Sequence, residues 1–269
     1  MSKPEFDFYL YYNNCMEQKT HAEGKKTFLL YPHSVIRDDM LDKLIMAGYE
    51  TYTILDEKRA RKLLAKFPGS IMFVNIDEGL SEDGWERYIL GIQSDPQTRE
   101  SQLGIMSYNQ DQKLMKKYLM EMAIPCGYIL LKLGFQESTK IIINALEANE
   151  ARGRRKCIRA DCHDDVNATV NYKGETGVFR GKLMDISSVG IAVKFDKFES
   201  LPSNSLLKSV QLRLKGGLVL NNMVLMGQRH DDSRVYIMIF GPSLTVDDKQ
   251  VIHHYIKECL QKFIDTVKI

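Results

Sequence analysis

The sequence predicts two domains of different class. The first is α/β, built on a five-stranded parallel sheet. The second is all-β, six short strands followed by a helix. Three observations predict this. Residues 27–148 alternate short apolar runs with amphipathic stretches, the pattern of repeated βα units. After Arg159 the amphipathic stretches stop, and short runs rich in Val, Ile, Leu and Met follow at regular intervals, broken by turn residues. Last, an apolar stripe at helical spacing runs from Val251 to Val267. A length of 269 residues suits about two domains.

In the first half the strands fall at 27–31, 51–55, 70–76, 103–107 and 127–131. Between and after them the helices fall at 38–47, 56–66, 84–92, 111–122 and 136–150. Five βα units imply a parallel sheet with helices on both faces. In the second half the strands fall at 166–172, 177–186, 190–195, 206–214, 218–228 and 235–240. Turn signals separate them at Lys173-Gly174, Ser203-Asn204, Gly216-Gly217 and Asp231-Asp232. Met223, Met226 and Met238 fit strand cores. Thr245 and Asp248 then form a capping-box start. Val251, Ile252, Tyr255, Ile256, Cys259, Leu260, Phe263, Ile264 and Val267 make one helical stripe, suited to packing on the all-β domain, a barrel or sandwich, or on another domain.

The chemistry concentrates at the join. Arg152, Arg154, Arg155, Lys156 and Arg159 lie within eight residues that include no acid. Such a cluster suits a compact anion, because the guanidinium fork grips phosphate oxygens in pairs and stacks on flat bases. The same fork reads the O6/N7 edge of guanine. Asp185 supplies the complementary acceptor for a guanine's donor edge. Asp185 and Ser187 are two apart, so on a strand they face the same way. Gly190 lets the backbone turn or approach a ligand closely. Taken alone, each piece has a plainer reading: a solvated basic linker, and a strand end where Asp and Ser bond local backbone.

Arg155 and Arg159 make R-x-x-x-R, and Asp185, Ser187 and Gly190 make D-x-S-x-x-G, in that order. This pair of motifs ahead of six short strands resembles the signature of PilZ domains, small β-barrels that bind cyclic di-GMP. The resemblance implies a six-stranded barrel and a bacterial second-messenger receptor, in which Arg155 and Arg159 clamp phosphate and guanine. Asp185 and Ser187 would hold a guanine edge. Arg154, just before the motif, implies a stacked ligand dimer and so two ligands per chain. It further implies a protein partner, unidentified, in control of motility, biofilm formation or virulence. Two other classes stay open. One is a ligand-independent PilZ adaptor that binds only proteins. The other is non-specific nucleic-acid binding at the basic join, which the formal net charge of +2 and the lack of an aromatic platform disfavour.

The first half resembles the receiver domain of two-component signalling, with departures. Where a receiver carries an acidic pair after its first strand, this chain has Pro32, His33 and Ser34. Asp38 and Asp39 lie further on and read as the start of a helix. At the phospho-acceptor position the best match is Asn75, and a rival alignment places Asp77 there. Ser107 and Lys132 match the receiver's hydroxyl and lysine. Without two or three carboxylates a divalent cation lacks its oxygen ligands. The expectation is a pseudo-receiver whose role is open.

Four segments follow: an N-terminal extension (1–24), the receiver-like domain (25–148), a basic linker carrying R-x-x-x-R (149–159), and the barrel with its helix (160–269). The aromatic patch of the extension has no assignable role. No nucleophile sits with a base, no carboxylate pair is spaced for catalysis, and no phosphate loop occurs, so no enzyme, cofactor or catalytic residue is expected. His253 and His254 face different ways on a helix, and His230 opens a turn. Five scattered cysteines argue for a reducing compartment and against a disulfide framework. Cys157-x4-Cys162-His163 is too loose for a zinc pair. No apolar run approaches a membrane span and no signal peptide opens the chain, so the expected location is the cytoplasm. The oligomeric state is unreadable.

Overall fold

The computed structural model describes residues 24–153, 155–198 and 201–269. The expected N-terminal extension, apart from Gly24, and Arg154 lie outside the described residues. The chain divides into two compact units, with the boundary between Lys156 and Cys157.

The first unit alternates strand and helix as expected: β1 (Thr27–Leu30), α1 (Ser34–Met46), β2 (Thr51–Ile54), α2 (Glu57–Lys66), β3 (Ile71–Asn75), α3 (Glu82–Ser94), β4 (Gln102–Ser107), α4 (Gln112–Lys116), β5 (Tyr128–Leu130) and α5 (Phe135–Ala148). The sheet order is β2-β1-β3-β4-β5, all parallel. Helices cover both faces, so β1 and β3 are buried along their whole length, and apart from Thr27 and Asn75 at their ends their residues are apolar. Leu29, Phe73, Met106 and Ile129 from four strands meet Ile142 and Leu146 of α5 in one core.

Two helices differ from expectation. α1 begins four residues before Asp38, because the His33 ring accepts the Val35 N–H (3.4 Å) and caps the helix. Asp38 and Asp39 therefore lie inside α1. Asp111, expected as the first residue of this helix, caps it instead, and after Lys116 the chain winds into a π turn, Lys117–Glu121. Periodicity over 111–122 does not separate these two windings.

The second unit contains β6 (Arg159–Asp161), β7 (Thr169–Lys173), β8 (Val178–Ser187), β9 (Gly190–Phe195), β10 (Leu206–Leu214), β11 (Gly217–Gln228), β12 (Val235–Phe240) and α6 (Val246–Thr266). Its strands run β8-β7-β10-β11-β12-β9, and β9 pairs back onto β8. The six expected strands thus close into an antiparallel barrel, which removes every long edge. Val170, Leu183, Val193, Leu212, Val219 and Met238 fill it. β7 starts three residues late, because Asp165 accepts the Asn167 N–H (3.0 Å) and holds a turn there.

β6 is a seventh strand that the sequence did not reveal. β9 occupies one edge of β8, while β7 and β6 share the other. β7 pairs with Val178–Lys182 and β6 with Asp185–Ser187. The stretch expected as a linker is therefore divided. Ala151 accepts the Lys25 N–H (2.9 Å), and Arg152 donates to Ala47 O (2.9 Å) over the Tyr49 ring, all in the first unit. Arg159 opens β6.

α6 starts at the expected capping box. Ile252, Tyr255, Ile256, Leu260 and Ile264 are buried, and the helix packs on β6, β8, β10 and β11. Phe263 departs from the stripe: it is 44% exposed.

Candidate functional site

The receiver-like unit places its acceptor position at the end of β3. Asn75 is buried; its amide donates to Tyr31 O (2.8 Å) and its carbonyl accepts the Asp77 N–H (3.2 Å). Asp77, the rival acceptor, is engaged on both oxygens. Oδ1 takes the Ser107 hydroxyl (2.5 Å) and Oδ2 takes the Tyr108 N–H (2.6 Å). The hydroxyl that matches a receiver's is thus consumed by a carboxylate of the chain itself. Asp38 pairs with Arg37 within α1. Among the described residues no group of three or more His, Cys, Asp or Glu is placed to hold a metal ion. Lys132 lies in a short 3-10 turn after β5 and is exposed. Incubation with acetyl phosphate and Mg²⁺ is expected to leave the intact mass unchanged. A phosphoryl adduct mapped to Asp77 would overturn this.

In the barrel unit Arg159, the second arginine of the first motif, meets the second motif. The β6–β8 register sets Arg159 opposite Ser187, Ala160 opposite Ile186 and Asp161 opposite Asp185. Alternation along each strand puts Arg159, Asp161, Asp185 and Ser187 on the face opposite Ala160 and Ile186, and on it Ser187 is itself buried. Arg155 is exposed, four residues before Arg159.

Asp185 has a partner that sequence reasoning missed. Arg229, just past the end of β11, reaches its Oδ2 (3.2 Å) and also lies 3.5 Å from Asp231. The only sequence signal was a cation opening the 229–232 turn. Ser187 holds the turn into β9: its hydroxyl accepts the Val189 N–H (3.4 Å) and donates to Gly190 O (3.2 Å). This is the local-backbone role weighed above. Gly190 is required by the next strand. A Cβ there would stand 2.3 Å from Met238 O and 3.2 Å from Ile239 Cα, both on β12. The close approach between β9 and β12 alone calls for a glycine here, whatever approach to a ligand Gly190 also permits.

Two carboxylates, Asp161 and Asp185, stand directly opposite across β6 and β8, an unfavourable pairing. Each has its own partner. Arg229 serves Asp185, and the His163 ring lies 2.5 Å from Asp161 and 3.1 Å from Asp164. The hydrogen bond to Asp161 holds the His163 pKa above the ordinary histidine value. A raised folded-state pKa means that this pair contributes fully below the ordinary histidine pKa. The contribution is lost as pH rises through the folded value. A ring-proton NMR titration should give His163 a higher midpoint than a free histidine, and Asp161→Asn should lower it. An unshifted midpoint in the native chain would contradict the pairing.

The described residues define a class: a receiver-like parallel-sheet unit followed by a closed six-stranded barrel with a terminal helix. No protein-family model matches the chain, and no curated protein does. Among solved structures it is similar to the PilZ domain, with c-di-GMP, of YcgR from Escherichia coli. The identity there is 12%, covering 41% of this chain and 96% of that one, with a TM-score of 0.34. It is similar to the MrkH–c-di-GMP complex of K. pneumonia at 21% identity and a TM-score of 0.29. That match covers 36% of this chain and 47% of the MrkH chain, under half its length. It is also similar to the signal receiver domain of an HD domain-containing protein from Pseudomonas fluorescens Pf-5. That identity is 19%, covering 50% of this chain and 95% of that one, with a TM-score of 0.40.

Proposed function

We propose that this protein is a cyclic di-GMP receptor whose site is the face of the β6–β8 pair that carries Arg159 and Asp185. The observation that carries this is the register: Arg159 of the first motif and Asp185 and Ser187 of the second lie on adjacent strands, with Arg159 opposite Ser187. Arg159, with Arg155 from the segment entering β6, clamps phosphate and stacks on or pairs with guanine. Asp185 accepts from the guanine donor edge, held in place by Arg229 through Oδ2 alone. Ser187 and Gly190 act by shaping the β8–β9 turn and its seat on β12. Arg154 stacks on a second ligand, giving two per chain. Binding draws the basic segment onto the barrel, and that rearrangement signals to a protein partner controlling motility, biofilm formation or virulence. No polymeric nucleic acid and no cofactor take part. The protein works in the cytoplasm; among the described residues no helix is long and apolar enough to cross a membrane.

One observation favours a second reading, a ligand-independent adaptor. Asp185 and Ser187 already have partners within the chain, Arg229 and the β8–β9 turn. Isothermal titration of the full chain with cyclic di-GMP separates the two. The receptor reading expects saturable heat at two ligands per chain, abolished in an Arg155→Ala, Arg159→Ala double variant. A stoichiometry of one would remove the stacked dimer. A folded protein that gives no heat would leave the adaptor.

A further inference from the structure

The barrel unit brings together two cysteines that the sequence scatters. Cys162 directly follows β6, is 2% exposed, and is fixed by its N–H to Met184 O (2.8 Å). Cys259 sits on α6, partly exposed, 97 positions along the chain. Their sulfurs are 4.0 Å apart. A second tether holds this spacing: Tyr255, one turn before Cys259, donates its hydroxyl to Asp165 (2.8 Å), in the loop that follows Cys162. A disulfide needs sulfurs at about 2 Å, which side-chain rotation from van der Waals contact can supply.

We infer that Cys162 and Cys259 form a reversible dithiol–disulfide modification site that staples α6 to the end of β6 when a peroxide or a small-molecule disulfide oxidises it. With peroxide, the Cys259 thiolate attacks one oxygen; an S–O bond forms, the O–O bond breaks, and hydroxide leaves and takes up a proton as water. The Cys162 sulfur then attacks the sulfenic sulfur; the S–S bond forms, the S–O bond breaks, and a second water leaves. Two thiols lose two electrons and one peroxide becomes two waters. The order follows from access and charge. Cys259 is the more exposed, and the contact between the two sulfurs lowers the Cys259 pKa and raises that of Cys162. Burial pushes the Cys126 thiol up to about 11 and leaves it inert. The staple closes a loop containing β7 through β12, so it constrains the unfolded barrel.

The test uses the full chain with equimolar hydrogen peroxide, followed by non-reducing digestion and mass spectrometry. The expected product is a peptide pair joined through Cys162 and Cys259 that dithiothreitol separates. With it, the thermal midpoint of the barrel should rise by roughly 10 °C and fall back on reduction. Cys259→Ser and Cys162→Ala should each give neither change. Oxidation confined to other cysteines, a bridge to any other cysteine, or a bridge that leaves the midpoint unmoved would overturn the proposal. The native chain alone decides the first two of these.

Discussion

Arg159→Ala is expected to weaken cyclic di-GMP binding by roughly a hundredfold, about 3 kcal/mol, with the barrel still folded. The magnitude follows from what the guanidinium would supply to the proposed ligand: two charge-assisted hydrogen bonds in a fixed fork, on a strand whose register sets it opposite Ser187. Arg159→Lys keeps the charge but loses the fork, and should recover part of the affinity, leaving a deficit of about tenfold. Asp185→Asn should also cost about tenfold, since a carboxylate accepts the guanine edge and an amide presents a donor to it. Arg229→Ala tests positioning rather than contact. Arg229 reaches only Oδ2 of Asp185 and is partly exposed, so its loss should cost about two- to fivefold. Titration calorimetry at one salt concentration, with circular dichroism for each variant, reads all four. Equal losses for Arg159→Ala and Arg159→Lys would show that the fork does not matter. An unchanged affinity in Arg159→Ala would remove the site.

What the sequence made legible was whatever repeats along the chain. The apolar runs of β1 and β3 and the turn signals between β7 and β12 reflect burial and chain reversal, which act locally. Thr245 and Asp248 were readable because a capping box is complete within four residues. The rest depended on partners distant in sequence. β6 is three residues long, and only its pairing with β8 makes it a strand. Arg229 is 44 positions from Asp185 and carried no signal of its own beyond its charge. Asp77 looked like a possible acceptor until Ser107, 30 positions on, turned its hydroxyl into Oδ1. Arg152, read as one of the anion-binding cluster, is engaged by Ala47 O and the Tyr49 ring instead. The motif residues were found by type and spacing, but their partners within the fold lie across strands, where spacing along the chain carries no signal.

Gly190 shows how far that distinction reaches. Gly190→Ala is expected to destabilise the barrel by about 3 kcal/mol, at the upper end of overpacking costs. The midpoint of the unit should then fall by roughly 10–15 °C. The added methyl meets Met238 O at 2.3 Å. That atom is backbone and cannot rotate aside. Gly190 pairs with Ile239, and the Phe240 N–H bonds to Val189 O (3.0 Å), so β9 cannot retreat without losing ladder bonds where it joins β12. Ser187→Ala removes only the turn hydroxyl and should cost about 1 kcal/mol. The two roles for Gly190 separate cleanly in measurement. If it acts through the fold, the variant loses stability but its folded fraction binds cyclic di-GMP with native affinity below the transition. If it acts by close approach to a ligand, stability holds and affinity falls. The 2.3 Å approach sets the expectation on the first outcome, and an intact melting midpoint with lost binding would reverse it.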